Sequence, residues 1–223
     1  MRPFQIRDSF TDLVEHYPSA DRLRQALVRM NPMDRSWFLR LWLTEGIPFV
    51  FRGKPAVYEA IRDWLATQLH VGPKEITLIG SGRIGYSLAP DGYGQPFSPE
   101  SDLDFTVISS DLFVRLCDAF KTWKGDVESG RIRPCNPKED LYWSDNLGRL
   151  PSNINRGFLD ARKIPYKYHE LGKLMWELEE RLAKTVESLK IRDASVRVYR
   201  TWENFEAQAT MNLERTTRTL IRG

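Results

Sequence analysis

The sequence predicts an α/β fold, α+β in type, led by a helical N-terminal region. Three observations carry this. Residues 1–72 place apolar side chains at helical spacing, residues 75–79 and 103–108 have the apolar and β-branched character of strands, and helical spacing returns over 168–189 and at the C-terminus. The 223 residues amount to about 1.5 domains of ordinary size, so one enlarged domain or a domain with a helical appendage is expected. A compact chain of this length buries roughly 70% of its unfolded surface and needs neither disulfide nor metal to hold it.

The elements follow in order. Ser19-Ala20-Asp21 can cap a helix on which Leu23, Ala26, Leu27 and Met30 share a face. Asp34 to Leu43 brings Phe38, Leu39, Leu41 and Trp42 into a second helix, and Gly46-Ile47-Pro48 forces a turn. Pro55 opens a third, marked by Ala60, Ile61, Trp64, Leu65 and Leu69, which Gly72-Pro73 stops. This stop divides the chain into a helical region, 1–73, and a core, 74–223. Glu75 to Ile79 reads as a strand running into Gly80, and Leu103 to Ile108 as a second. Ser109-Ser110-Asp111 caps a helix holding Leu112, Leu116, Phe120 and Trp123. Residues 124–167, rich in Gly, Pro, Asn and basic residues, read as irregular. Tyr168 to Leu189 is helical, with Leu171, Leu174, Met175, Leu178, Leu182 and Val186 on one face. Ser195 to Tyr199 is a short third strand, and a final helix carries Trp202, Phe205, Ala209, Leu213 and Leu220.

Composition excludes several classes. The 41% hydrophobic and 28% charged content is that of a folded globular chain. Aromatic content of 12%, with seven Trp, points to a well-filled core or a ring-lined cleft. No stretch approaches the length of a membrane span, since Arg40 breaks the apolar run from Trp37 to Trp42. Met1-Arg2-Pro3-Phe4-Gln5 has no apolar signal core, so a cytoplasmic location is expected. Cys117 and Cys135 lack CxxC spacing and His16, His70 and His169 are scattered, which argues against a zinc site. A net charge of +3 does not suit a nucleic-acid coat, although residues 131–173 are basic enough for a local groove.

Two short strings carry chemistry: Gly80-Ser81-Gly82-Arg83-Ile84-Gly85 after the first strand, and Ser101-Asp102-Leu103-Asp104 opening the second. The two-residue period of a strand puts Asp102 and Asp104 on one face, roughly 7 Å apart at Cα. Side-by-side carboxylates repel each other unless a cation sits between them. Mg²⁺ suits the pair, because it takes one or two carboxylates and completes its shell with water and substrate phosphates. The turn supplies backbone N–H groups and the Ser81 hydroxyl for a phosphate tail, and Arg83 is a further candidate for that tail. The first string also spells GxGxxG. A dinucleotide site needs a long helix directly after the glycines, and Pro90, Gly92, Gly94 and Pro96 forbid one. No GxxxxGK[ST] string occurs.

Gly80-Ser81 followed by Asp102-x-Asp104 on the next strand resembles the DNA polymerase beta-type nucleotidyltransferase superfamily. The strings Gly82 to Ser87 and Pro96-Phe97-Ser98 resemble its stand-alone bacterial members. The resemblance implies a small mixed sheet flanked by helices, with a homologous core over residues 74–215. It implies Gly80 and Ser81 on the nucleotide phosphates and Asp102 and Asp104 as catalytic ligands to Mg²⁺ or Mn²⁺. The reaction it implies moves a nucleoside monophosphate from a triphosphate, ATP or GTP, to a hydroxyl of a protein, RNA or nucleotide acceptor. Antiphage or toxin–antitoxin roles belong to the same resemblance. Two departures stand out. Ala89 to Phe97 reads as an inserted loop, a flap over the nucleotide. The third carboxylate that the superfamily carries on a later strand is absent from Ser195 to Arg200, leaving Asp193, Glu203 and Asp160 as candidates. Without one, the chain reads instead as a nucleotide-binding sensor or adaptor; the basic stretch of residues 131–173 offers a third reading, an RNA-binding module.

Overall fold

Four short strands form: β1 (Ile76–Ile79), β2 (Asp102–Ile108), β3 (Phe158–Asp160) and β4 (Asp193–Tyr199). In the computed structural model of the chain, which describes residues 4–185 and 189–222, they form one mixed sheet of order β1-β2-β4-β3. β1 and β2 are antiparallel, β2 and β4 parallel, and β3 and β4 antiparallel. The fold is α+β, with this sheet flanked by helices.

Strand periodicity gives the sheet two unlike faces. Leu78, Leu103, Phe105, Val107, Val196 and Val198 point to one side and are all at most 1% exposed. They share a core with Ile61, Leu65 and Leu69 of α3 (Pro55–Leu69), with Leu116 and Phe120 of α5 (Ser110–Glu128), and with apolar residues of α7 (Leu171–Lys184). Burying each such side chain stabilises the fold by roughly 1.5–3 kcal/mol. The opposite face carries Thr77, Asp104, Thr106, Ser195 and Arg197.

The N-terminal helices divide their allegiance. Helix α3 packs with Ile76 and Leu78 in the sheet core, so the division read at 73/74 runs through shared packing. Helices α1 (Ala20–Arg29) and α2 (Pro32–Phe38), with the wider π-type turns over Leu39–Thr44, form a second cluster. There Leu23, Leu27, Phe38 and Leu39 meet Ile84 and Leu213, the latter on the final helix α8 (Trp202–Arg222).

Caps explain several boundaries. Ser19 and Ser109 accept from the backbone N–H groups of Arg22 and Leu112, as their positions predict. The second helix starts earlier than read, because Asn31 forms a capping box with Asp34 and Pro32 opens the helix. Much of the stretch read as irregular is α6 (Pro137–Asn155), which Asn136 caps by accepting from the Glu139 N–H at 2.9 Å. The helix read to Leu189 closes at Lys184; Val186 lies outside the described residues. Beyond β3 the outer edge of β4 has no partner strand among the described residues. There the Ala194 N–H donates to Glu179 at 2.8 Å, and the Ala194 carbonyl accepts from Arg162, which also holds Asp193. Among the described residues no helix is long and apolar enough to cross a membrane.

Candidate functional site

The site starts where β1 ends. Ile79 lies opposite Asp104 in the antiparallel ladder, so the turn after β1 closes over the mouth of β2. Gly80 adopts φ 69° and ψ −153°, a region essentially restricted to glycine. A Cβ at Gly80 would stand 3.0 Å from Asp104 Oδ2, so the missing side chain is what lets backbone and carboxylate meet. Ser81 begins α4 (Ser81–Ile84), a single turn that ends at Gly85 with φ 96°.

Asp102 and Asp104 share the polar face, while Leu103 between them is fully buried in the core. Asp102 accepts two hydrogen bonds from Arg192, at 3.0 and 2.9 Å from Nε and Nη2. Asp104 accepts from Ser195 Oγ at 2.7 Å. The parallel register places Asp193 beside Asp102, Ser195 beside Asp104 and Arg197 beside Thr106.

That register sorts the candidates for a third carboxylate. Asp193 neighbours Asp102, yet its carboxylate is held by Arg162. Burial works to raise the Asp193 pKa, but hydrogen bonds from Arg162 and Glu179 outweigh it and keep the group below its ordinary range. Glu179 moves the other way, pushed up by burial and by its bond with Asp193. Asp160 sits on the outer strand opposite Arg197, and Glu203 is exposed at the start of α8. Among the described residues no three or more His, Cys, Asp or Glu side chains converge as a metal cage would.

A cleft of about 400 Å³ opens between this face, the turn and α8. Gly80, Ser81, Asp104 and Arg197 line one side; Leu88, Phe205 and Arg215 line the other. The inserted loop forms a wall rather than a free flap. The Leu88 carbonyl just before it accepts from Thr216 at 2.6 Å, and its Tyr93 hydroxyl donates to the Ala20 carbonyl at 2.8 Å.

Arg83, read as a phosphate ligand, is engaged elsewhere. It is 1% exposed and donates to the carbonyls of Trp42 at 2.9 Å and Gly46 at 2.8 Å. It pins the loop after α2 to the turn. The structure therefore gathers Gly80, Ser81 and Asp104 around the cleft and sets Asp102 two residues away on the same strand face. The basic stretch is partly consumed locally: Arg131, Arg149, Arg162 and Lys173 each pair with an acid. Sequence reasoning passed over Arg192, Ser195, Arg197 and Arg215. The signal for two of them was present, since polar 193, 195 and 197 alternate with apolar 194, 196 and 198.

Comparison of the chain with protein-family models, curated proteins and solved structures found no match.

Proposed function

We propose that the chain is a nucleotidyltransferase that moves a nucleoside monophosphate from a triphosphate, ATP or GTP, to an acceptor hydroxyl. One observation carries the reading: Asp104 meets the glycine-serine turn at a cleft sized for a small ligand, with Asp102 two residues away on the same face. The donor set fits a hard divalent cation, because both acids offer carboxylate oxygens and the Gly80 backbone leaves room beside Asp104. Asp102 and Asp104 would hold Mg²⁺ or Mn²⁺, which when bound neutralises phosphate charge and polarises the α-phosphate.

The chain's own groups supply the rest. Backbone N–H groups of the turn and the Ser81 hydroxyl bind phosphate oxygens. Ser195 orients Asp104 by donating to one of its oxygens. Leu88 and Phe205 offer an apolar wall to the nucleoside. Arg192 neutralises Asp102 in the free protein, and its 62% exposed side chain can swing away because water screens the pair.

The test uses α-labelled triphosphates with Mg²⁺ or Mn²⁺ and protein, RNA and nucleotide acceptors. Labelled product that disappears in Asp104→Asn supports the reading; no product with any of the four triphosphates overturns it. A second reading, a nucleotide sensor without turnover, is favoured by Ser195 standing beside Asp104 and by the capture of Asp193 by Arg162. Calorimetry separates the two, since a sensor binds the triphosphate tightly and leaves it intact over hours.

A further inference from the structure

Arg197 is the one basic residue that the described strands place on the sheet's polar face. Its row reads Thr77, Thr106, Arg197, Asp160 across the four strands. The threonines are 3% and 0% exposed, and both hydroxyls and the Arg197 Nε are buried without a hydrogen-bond partner. The row's only acid, Asp160, stands 3.5 Å from Arg197 Nη2, longer than a charge-assisted bond, and it also accepts from the Arg162 backbone N–H. Across the cleft α8 presents Arg215, exposed and with no ion pair or side-chain hydrogen bond among the described residues. Two guanidinium groups thus face one carboxylate, Asp104, whose Oδ1 already accepts from Ser195. This balance calls for an anionic ligand.

We propose that Arg197 and Arg215 grip the phosphate chain of a nucleoside triphosphate from two sides, so that the cleft binds polyphosphate without a metal. The proposal rests on the nucleotidyl-transfer reading only for the class of ligand. A phosphate oxygen in the cleft meets the accessible part of the Arg197 guanidinium, whose side chain is 37% exposed, and guanidinium geometry suits phosphate better than an ammonium group does. An arginine on β4 then provides, as a fixed charge, part of the neutralisation that a second cation gives in two-metal sites.

Isothermal titration of the full chain in EDTA tests this, with ATP, inorganic tripolyphosphate and adenosine as probes. ATP and tripolyphosphate bind, and adenosine binds roughly tenfold or more weakly. Arg197→Gln and Arg215→Ala each weaken tripolyphosphate by roughly tenfold or more, while Arg149→Ala, outside the cleft, changes nothing. Should Arg197→Gln unfold, as read by circular dichroism, Arg215→Ala carries the test alone because that side chain is exposed. Absence of metal-free binding, or wild-type affinity in both variants, overturns the proposal. Metal-free binding without any metal-dependent transfer overturns the enzyme reading and leaves the arginine clamp standing; transfer without metal-free binding does the reverse.

Discussion

Replacing Gly80 with alanine loads two costs onto one residue. The backbone at φ 69° and ψ −153° charges a non-glycine residue about 1–3 kcal/mol. The new methyl also arrives 3.0 Å from Asp104 Oδ2, so the carboxylate has to give way. For a chain of this size 1 kcal/mol shifts Tm by about 2–4 °C, so the variant melts about 2–12 °C early. Gly130→Ala separates the costs, because Gly130 has φ 71° but open space around its Cβ position. It loses about 1–2 kcal/mol of backbone energy and nothing at the site. Thermal unfolding by circular dichroism reads the first effect, and calorimetric titration with Mg-ATP reads the second. Gly80→Ala lowers both Tm and affinity; Gly130→Ala lowers only Tm. A Gly80→Ala protein that melts within about 1 °C of the parent and binds nucleotide equally well refutes the claim that this turn shapes the site.

Arg83→Met strands the Trp42 and Gly46 carbonyls in a buried setting and costs roughly 2–4 kcal/mol, visible as a lower urea midpoint at unchanged slope. Arg192→Ala removes the competitor for Asp102 and tightens Mn²⁺ binding measured by electron paramagnetic resonance; unchanged binding would show that the ion pair does not guard the acid. Gly125→Ala, inside α5 with empty space beyond its Cβ position, raises stability by about 0.5–1 kcal/mol in a melt. His169 gives a pH signature. Burial holds its pKa below the ordinary value, against the opposing effect of its hydrogen bonds to backbone carbonyls. Its Nδ1 accepts from the Leu171 N–H, which leaves Nε2–H to donate to the Ile164 carbonyl. This neutral ring contributes stability fully above its unfolded pKa of about 6.5, and the contribution fades as pH falls toward the lower folded value. Denaturant titrations across that window should show a steeper acid loss in the parent than in His169→Gln.

Much of this architecture was written in local pattern. Ser19 and Ser109 announced their helices through capping chemistry, and β1, β2 and β4 announced themselves through alternation. Helix α6 was hidden by Gly148 and Pro151, breakers that a packed helix tolerates near its end, although Asn136-Pro137 with Glu139 is a helix-start signal. The three residues of β3 carry no periodicity of their own and become a strand only by pairing with β4. At the site, the common face of Asp102 and Asp104 follows from a period of two, so sequence suffices there, whereas the approach of Asp104 to Gly80 depends on the pairing of Ile79 with Asp104 in the folded sheet. The partners of Arg83 and Asp102 do not follow, because Trp42 is 41 residues from Arg83 and Arg192 is 90 from Asp102. Only the folded chain decides those pairings.

The half-bare margin of β4 has a consequence for self-association. Ala194 offers outward the N–H and C=O that a foreign strand needs in order to dock, and Glu179 and Arg162 have taken both. Sheet growth from that side must first strip two charged side chains from the backbone, which keeps copies of the chain from zipping together. The seal also has an inward effect: by drawing Asp193 toward the rim, Arg162 keeps a third negative charge out of the space where Asp102 and Asp104 stand.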